Sequence, residues 1–285
     1  MMNNIDALQQ DRYVILHADD YGMCHATNAA ITQLLQEGDV SSTTLMANCP
    51  WSLEAVRAAK AGGVDIGLHA TLTSEWAHYR WGPLGRNGNV DTLVDEQGYF
   101  PRSVEPVRHA DPAQIRAEVT AQIEWALRQG LDLTHLDTHM GALDSFTDIY
   151  VDLAAAYRLP LRFASKYAFA WKLHGQEGDV VEYAREKGVL FPNELVGLPF
   201  SPGPGEGYRE MKKRLIAILR GLAPGVTEII AHPSLDTDEL KAITDTWQVR
   251  KYEFDLFRDP DVKAVLAEEK LRVIGWRTLR DLQRR

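Results

Sequence analysis

Short apolar runs alternate with longer segments of helical periodicity along most of the chain. The first run, Tyr13-Val14-Ile15-Leu16, is β-branched and short enough to read as a buried strand. It leads into His17-Ala18-Asp19-Asp20-Tyr21-Gly22, and periodic apolar positions from His25 to about Gln36 then predict a helix. The order repeats: a strand over 42–47, a helix over 50–60 closed by Gly62-Gly63, and a strand over 64–70. A helix over 112–128 follows, with Gly130 just beyond its end, then a strand over 133–139, a helix over 145–157 and a strand over 161–164. One helix is expected within 167–192 and a strand over 194–198. A turn-rich loop at 201–205 precedes a helix over 208–222. A strand over 226–232, a helix around 237–257, a last strand over 271–276 and a short basic helix complete the chain.

Such alternation implies a parallel sheet covered by helices. Seven or eight mostly parallel strands fit a (β/α) barrel better than an open dinucleotide-binding sheet. The first strand is followed by no Gly-rich fingerprint, and there is no Walker motif. No repeat or linker divides the chain, so residues 1–285 are expected to form a single domain. The stretch 74–111 breaks the pattern. It has little periodicity, yet Trp76, Tyr79, Trp81, Tyr99 and Phe100 give it aromatic weight. A loop this long inside a compact domain is usually functional, and this one reads as a substrate-side insertion.

Composition narrows the field. The 285 residues are 45% hydrophobic and 25% charged, ordinary values for a soluble globular protein. The net charge of −9, from 31 Lys and Arg against 40 Asp and Glu, leaves no basic excess for a nucleic-acid backbone. No apolar run approaches the roughly 20 residues of a membrane span. The polar N-terminus lacks the apolar core of a signal peptide, so the expected location is the cytoplasm. Cys24 and Cys49 make no disulfide framework. A homodimer is compatible with all of this.

The chemistry sits at strand ends. Asp19-Asp20, His69, His139 and His232 each close a different predicted strand, and in a parallel barrel those ends meet on one face, where active sites are built. Adjacent carboxylates at the end of a buried strand repel each other and cost desolvation energy, so a cation or a raised pKa must offset them. One carboxylate with two imidazoles leaves open positions on a divalent metal. A second carboxylate can take a proton from water, and another histidine can protonate a leaving group. The set describes metal-assisted hydrolysis of an amide or ester.

At these residues the sequence resembles the YdjC-like carbohydrate deacetylases, the family of chitooligosaccharide deacetylase. The resemblance rests on Asp19-Asp20-Tyr21-Gly22, Gly67-Leu68-His69-Ala70-Thr71-Leu72, His135-Leu136-Asp137-Thr138-His139, Ala231-His232-Pro233, and Arg250 with Glu253. It implies a distorted (β/α) barrel and a metal-dependent deacetylase acting on an N-acetylated sugar or oligosaccharide. Carried over, Asp20, His69 and His139 are the metal ligands, Asp19 the general base and His232 the candidate acid. The ion is one divalent metal, Zn, Mg, Mn, Fe, Co or Ni, and an Asp with two His suits the transition metals and zinc better than Mg²⁺. The chain departs from the family's usual motifs at Ala70, at Met140-Gly141-Ala142 and in the Trp76–Trp81 loop. The alternatives are a metal-dependent isomerase or phosphoesterase on a similar barrel, or an inactive carbohydrate-binding barrel.

Other residues carry two readings. His17 shares a strand face with Asp19, and His135 with Asp137 and His139, so His17, His135 and Asp137 either support the site or are polar core groups. By the same alternation Asp19 and Asp20 diverge and take separate roles. Arg250 either steadies Asp19, clamps substrate, or pairs on a helix surface with Glu253 or Glu239. Tyr21 and Trp81 belong among the groups expected to support or line the site, Trp81 by stacking on a sugar ring.

Overall fold

A computed structural model describes residue 8 and residues 10–85, 88–163, 166–167, 177–200 and 207–285. At its centre lies β1, Arg12–Tyr21, flanked in parallel by β2, Ser42–Leu45, and by β7, Gly225–Ala231. Beyond β2 come β3, Ile66–Ala70, and β4, Leu136–Thr138; beyond β7 come β6, Glu194–Gly197, and β5, Lys166–Tyr167. The order is β4-β3-β2-β1-β7-β6-β5, with β8, Arg272–Val273, alongside the start of β1. Every described pairing is parallel. The burial of β1 is what a strand covered on both faces requires, and explains its unbroken apolar start.

The sheet curls into a distorted barrel. Past β4, Leu136 bridges Leu161 in parallel, and the Leu161 N–H donates to the Leu190 carbonyl at 2.9 Å, just before β6. Among the described residues of the strand expected over 161–164, Leu161 alone pairs, in that bridge. Pro160 has no N–H to extend a ladder backwards, although its carbonyl accepts from Leu136. Residue 164 and the predicted loop 201–205 lie outside the described residues.

Helices cover the sheet: α1, His25–Glu37; α2, Ser52–Gly62; α3, Val104–Val107; α4, Pro112–Arg128; α5, Thr147–Tyr157; α6, Glu177–Glu186; and α7, Tyr208–Arg220. The single helix expected around 237–257 is two, α8, Asp238–Ile243, and α9, Trp247–Arg258, because Thr244 is extended and its hydroxyl accepts the Thr246 N–H. A further helix, α10, Pro260–Glu268, starts where the Asp259 side chain caps Asp261 and Pro260 takes the first turn. Asp111 and Pro112 open α4 in the same way. The last helix, α11, Trp276–Gln283, places a fully buried Trp276 beneath the barrel interior. Among the described residues no helix is long and apolar enough to cross a membrane.

Candidate active site

The C-terminal ends of β1, β3, β4 and β7 deliver Asp19, Asp20, His69, His139 and His232 to one cleft. His139 is carried by a 3₁₀ turn, His139–Gly141, that follows β4 directly. Asp20 is the pivot. Its backbone is left-handed, with φ 70°, and the β1–β2 register shifts between Ala18 and Tyr21. Strict alternation is therefore broken. Asp19 Oδ2 and Asp20 Oδ1 lie 3.9 and 3.6 Å from the same atom, His69 Nε2. The expectation that the two carboxylates diverge gives way to a kink that turns both towards one imidazole.

Three acceptor atoms converge there. Asp20 Oδ1 is 3.4 Å from His139 Nδ1, which is 3.3 Å from His69 Nε2. Asp20 Oδ1 is buried and has no hydrogen-bond partner. The tautomers follow from the outer neighbours. Asp137 Oδ1, 2.8 Å from His69 Nδ1, can only accept, so Nδ1 carries the proton and Nε2 keeps its lone pair. Glu75 does the same for His139, its oxygens 3.2 and 3.3 Å from Nε2. A carboxylate and two imidazoles directing lone pairs at one point is a donor set that fits a divalent cation. Two overlapping groups among the described residues, His17 with His135 and Asp137 and Asp19 with His69 and Asp137, also bring three such atoms within 4.8 Å of one another. Both use Asp137, which already has the Arg162 guanidinium 3.0 Å away and the Thr44 hydroxyl donating at 2.7 Å.

Arginines balance the carboxylates. Arg162 grips Asp19 bidentately, Nη1 to Oδ2 at 2.8 Å and Nη2 to Oδ1 at 2.7 Å, and donates from Nε and Nη2 to Glu228 at 3.0 and 2.9 Å. Burial works against ionisation of Asp19, but Arg162, His69 and His17 outweigh it and hold the carboxyl well below the usual range. Arg250 does this for Asp20, donating from Nη1 to Oδ2 at 2.8 Å, with His139 and His232 adding to the effect. Arg250 thus pairs with Asp20 rather than Asp19, while Glu239 accepts the Ala26 N–H. Burial opposes charge on His139, yet Glu75 and Asp20 push it up to about 10, so a proton competes for the position a cation would take.

His232 and Glu253 form the far wall. His232 Nε2 is 3.7 Å from Asp19 Oδ2, Nδ1 is 3.8 Å from Glu253 Oε2, and the His232 backbone N–H donates to that oxygen at 2.6 Å. Burial pushes His232 down to about 4 and Glu253 up to about 8.

The remaining predicted residues lie below or beside the cleft. His17 is fully buried, with Nε2 3.3 Å from Asp19 Oδ1. His135 stacks on Trp276 at 4.5 Å, and its ring leaves no room for a side chain at position 67, where a Cβ would approach Cε1 to 2.4 Å. Gly67 is therefore required by its neighbour on the adjacent chain segment leading into β4. Tyr21 is buried and bonded through its hydroxyl to Thr32 at 2.7 Å, and Trp81 is 3% exposed with its indole N–H donated to the Thr73 carbonyl. Trp76 is half-buried and packs against both Trp81 and Arg250.

The sequence reading missed Arg162, Glu228 and Glu75. Arg162 and Glu228 each interrupt an apolar strand, Leu161-Arg162-Phe163 and Thr227-Glu228-Ile229, and a charge inside a buried strand needs a partner. That signal marks each as needing a partner without naming it. Glu75 carried no such mark.

The chain is a parallel α/β barrel with paired aspartates and histidines gathered at its strand ends. The YdjC-like family model matches residues 13–268, and the chain belongs to that family. A carbohydrate deacetylase of Thermus thermophilus is 32% identical over 95% of this chain and 94% of its own. One from Thermoanaerobacter pseudethanolicus is 28% identical over 94% of this chain and the whole of its own. A crystal structure from Enterococcus faecalis, described as a candidate cellobiose-phosphate cleavage protein, superimposes with a TM-score of 0.78, 24% identity and coverage of 95% of this chain and 99% of that one. It shares the fold.

Proposed function

We propose that this chain removes the acetyl group from an N-acetylated sugar or short oligosaccharide by metal-dependent hydrolysis. The observation that carries the reading is the convergence of the partnerless Asp20 Oδ1 with His69 Nε2 and His139 Nδ1, beside a second carboxylate. The relatives named carbohydrate deacetylases support the substrate class. Asp20, His69 and His139 would hold one divalent ion, which supplies carbonyl polarisation and a water of lowered pKa.

The chain's own groups do the rest. Asp19, kept ionised and fixed in orientation by Arg162, accepts the proton of the attacking water. His232 presents Nε2 to the same side of the cleft and delivers a proton to the departing amine. Its own affinity for a proton is low, and Glu253 behind it is the group that stays protonated at neutral pH, so the pair keeps a proton beside the leaving group. Residues 74–85 and 88–111 would wall the substrate side, with half-buried Trp76 as the ring-stacking surface.

The test is an acetate-release screen over N-acetylated mono- and oligosaccharides, run with metal analysis of the purified chain. Release from at least one, abolished by chelation and restored by a divalent ion, is expected. Folded, metal-loaded protein that releases no acetate from any of them overturns the reading.

A further inference from the structure

We propose that Glu75 is a positioning residue: its carboxylate holds the Nε2 proton of His139 and thereby fixes Nδ1 as the atom offered to a metal. This rests on the reading of Asp20, His69 and His139 as a metal site. The two histidines are built alike at different depths. His69 is steadied from inside the barrel by Asp137, which is fully buried. His139 is steadied from outside by Glu75, whose side chain is 19% exposed.

The need is greater at His139. It sits on a turn whose next residue, Met140, is left-handed with φ 54°, so no strand ladder holds it. Either ring nitrogen of a free imidazole can face a ligand, and a carboxylate that only accepts decides between them. The residue before Glu75 is anchored. The Ser74 N–H donates to the Pro101 carbonyl, and the Ser74 hydroxyl accepts from the Trp81 N–H and from Arg80 Nε. The residue after Glu75, Trp76, lies 5.9 Å beneath the guanidinium carbon of Arg250, which grips Asp20. Adjacent residues of one loop therefore support two of the three ligands, and the loop walling the cleft also sets the affinity of the metal.

The experiment compares Co²⁺ affinity of the full-length chain with that of Glu75→Ala and Glu75→Gln, with His69→Ala as the control that loses the ion. Glu75→Ala should bind about 10- to 100-fold more weakly. Glu75→Gln, whose amide oxygen still accepts the Nε2 proton and which preserves shape, should lose less. Thermal unfolding without metal should stay close to wild type in both. Ring ¹⁵N shifts in the Zn²⁺-loaded protein should show His139 protonated on Nε2 in the wild type and a mixture of tautomers in Glu75→Ala. Wild-type uptake with Glu75→Ala within about twofold overturns this inference alone. Equal losses in both variants with His139 still protonated on Nε2 also overturn it. A wild-type chain that takes up no ion overturns it together with the metal reading.

Discussion

At the scale of single residues, the two neighbouring carboxylates differ in their partners. Asp20 is tied to Arg250 on one oxygen and leaves the other without a partner; Asp19 has both oxygens occupied by Arg162. The open Asp20 oxygen is free to face a cation, while Arg162 holds the ionised Asp19 in one orientation. Asp20→Asn should lose metal affinity, with partial rescue of turnover by excess metal, and Asn tolerates the left-handed backbone at that position. Asp19→Asn should keep its metal and lose about two to four orders of magnitude in turnover, with no rescue. Metal titration and kinetics on both variants check this, and the reversed pattern means the roles are exchanged. Glu253 gives a pH signature. Its carboxyl rises from an ordinary 4.5 to about 8 in the folded chain. Between those values the folded protein keeps a proton that the unfolded chain has released, so stability falls as pH rises through the window and is lowest above it. Glu253→Gln lacks that titration, so the wild type's stability relative to the variant should decline from about pH 5 to pH 8 in denaturant unfolding. A flat difference refutes it. The strand-end residues were legible because they interrupt apolar runs at their ends. Arg162 and Glu228 interrupt theirs in the middle and were equally visible as charges, but which carboxylate Arg162 would meet depends on barrel closure, which spacing does not give.

At the scale of elements, the segment between β3 and α4 buries one tryptophan and leaves another half-buried. Trp81 is buried, its indole N–H held by Thr73, and the loop is pinned to α4 by Glu118, whose carboxylate accepts the Leu84 and Gly85 N–H groups at 3.0 and 2.8 Å. Trp76 is half-buried against Arg250, which grips Asp20. Trp81→Ala should cost about 3–5 kcal/mol of stability. Trp76→Ala should raise KM for the true substrate while moving the melting temperature little. Melting curves and steady-state kinetics on both settle it, and a KM effect confined to Trp81→Ala would return the stacking role to that residue. Most element types could be read from periodicity, and Pro112 marked a helix start correctly. The equivalent Asp259-Pro260 start was passed over because α9 runs up to it with the same apolar spacing and no intervening loop. The limited pairing of residues 161–163 was hidden for a related reason: Leu161-Arg162-Phe163 has strand composition, but Pro160 limits what it can pair with.

At the scale of the whole molecule, a metal held by Asp20, His69 and His139 is a tie between three strand ends: β1, β3 and the turn after β4. An ion that binds only the folded chain adds stability by mass action, about 2.7 kcal/mol at a free concentration one hundred times its dissociation constant. The strands it joins are also the sheet's centre and one flank, with β1 hydrogen-bonded on both sides and again to β8 near its start. If residues 1–285 form one domain, that stabilisation cannot stay local. Calorimetry should show a single transition that moves upward as a whole, by several degrees, when Zn²⁺ or Mn²⁺ is added. His69→Ala should unfold in one transition that added metal leaves in place. Two transitions in the wild type, only one of them metal-sensitive, would show instead that the chain folds as two units and that the β6–β5 flank is energetically separate from the strands that carry Asp20, His69 and His139.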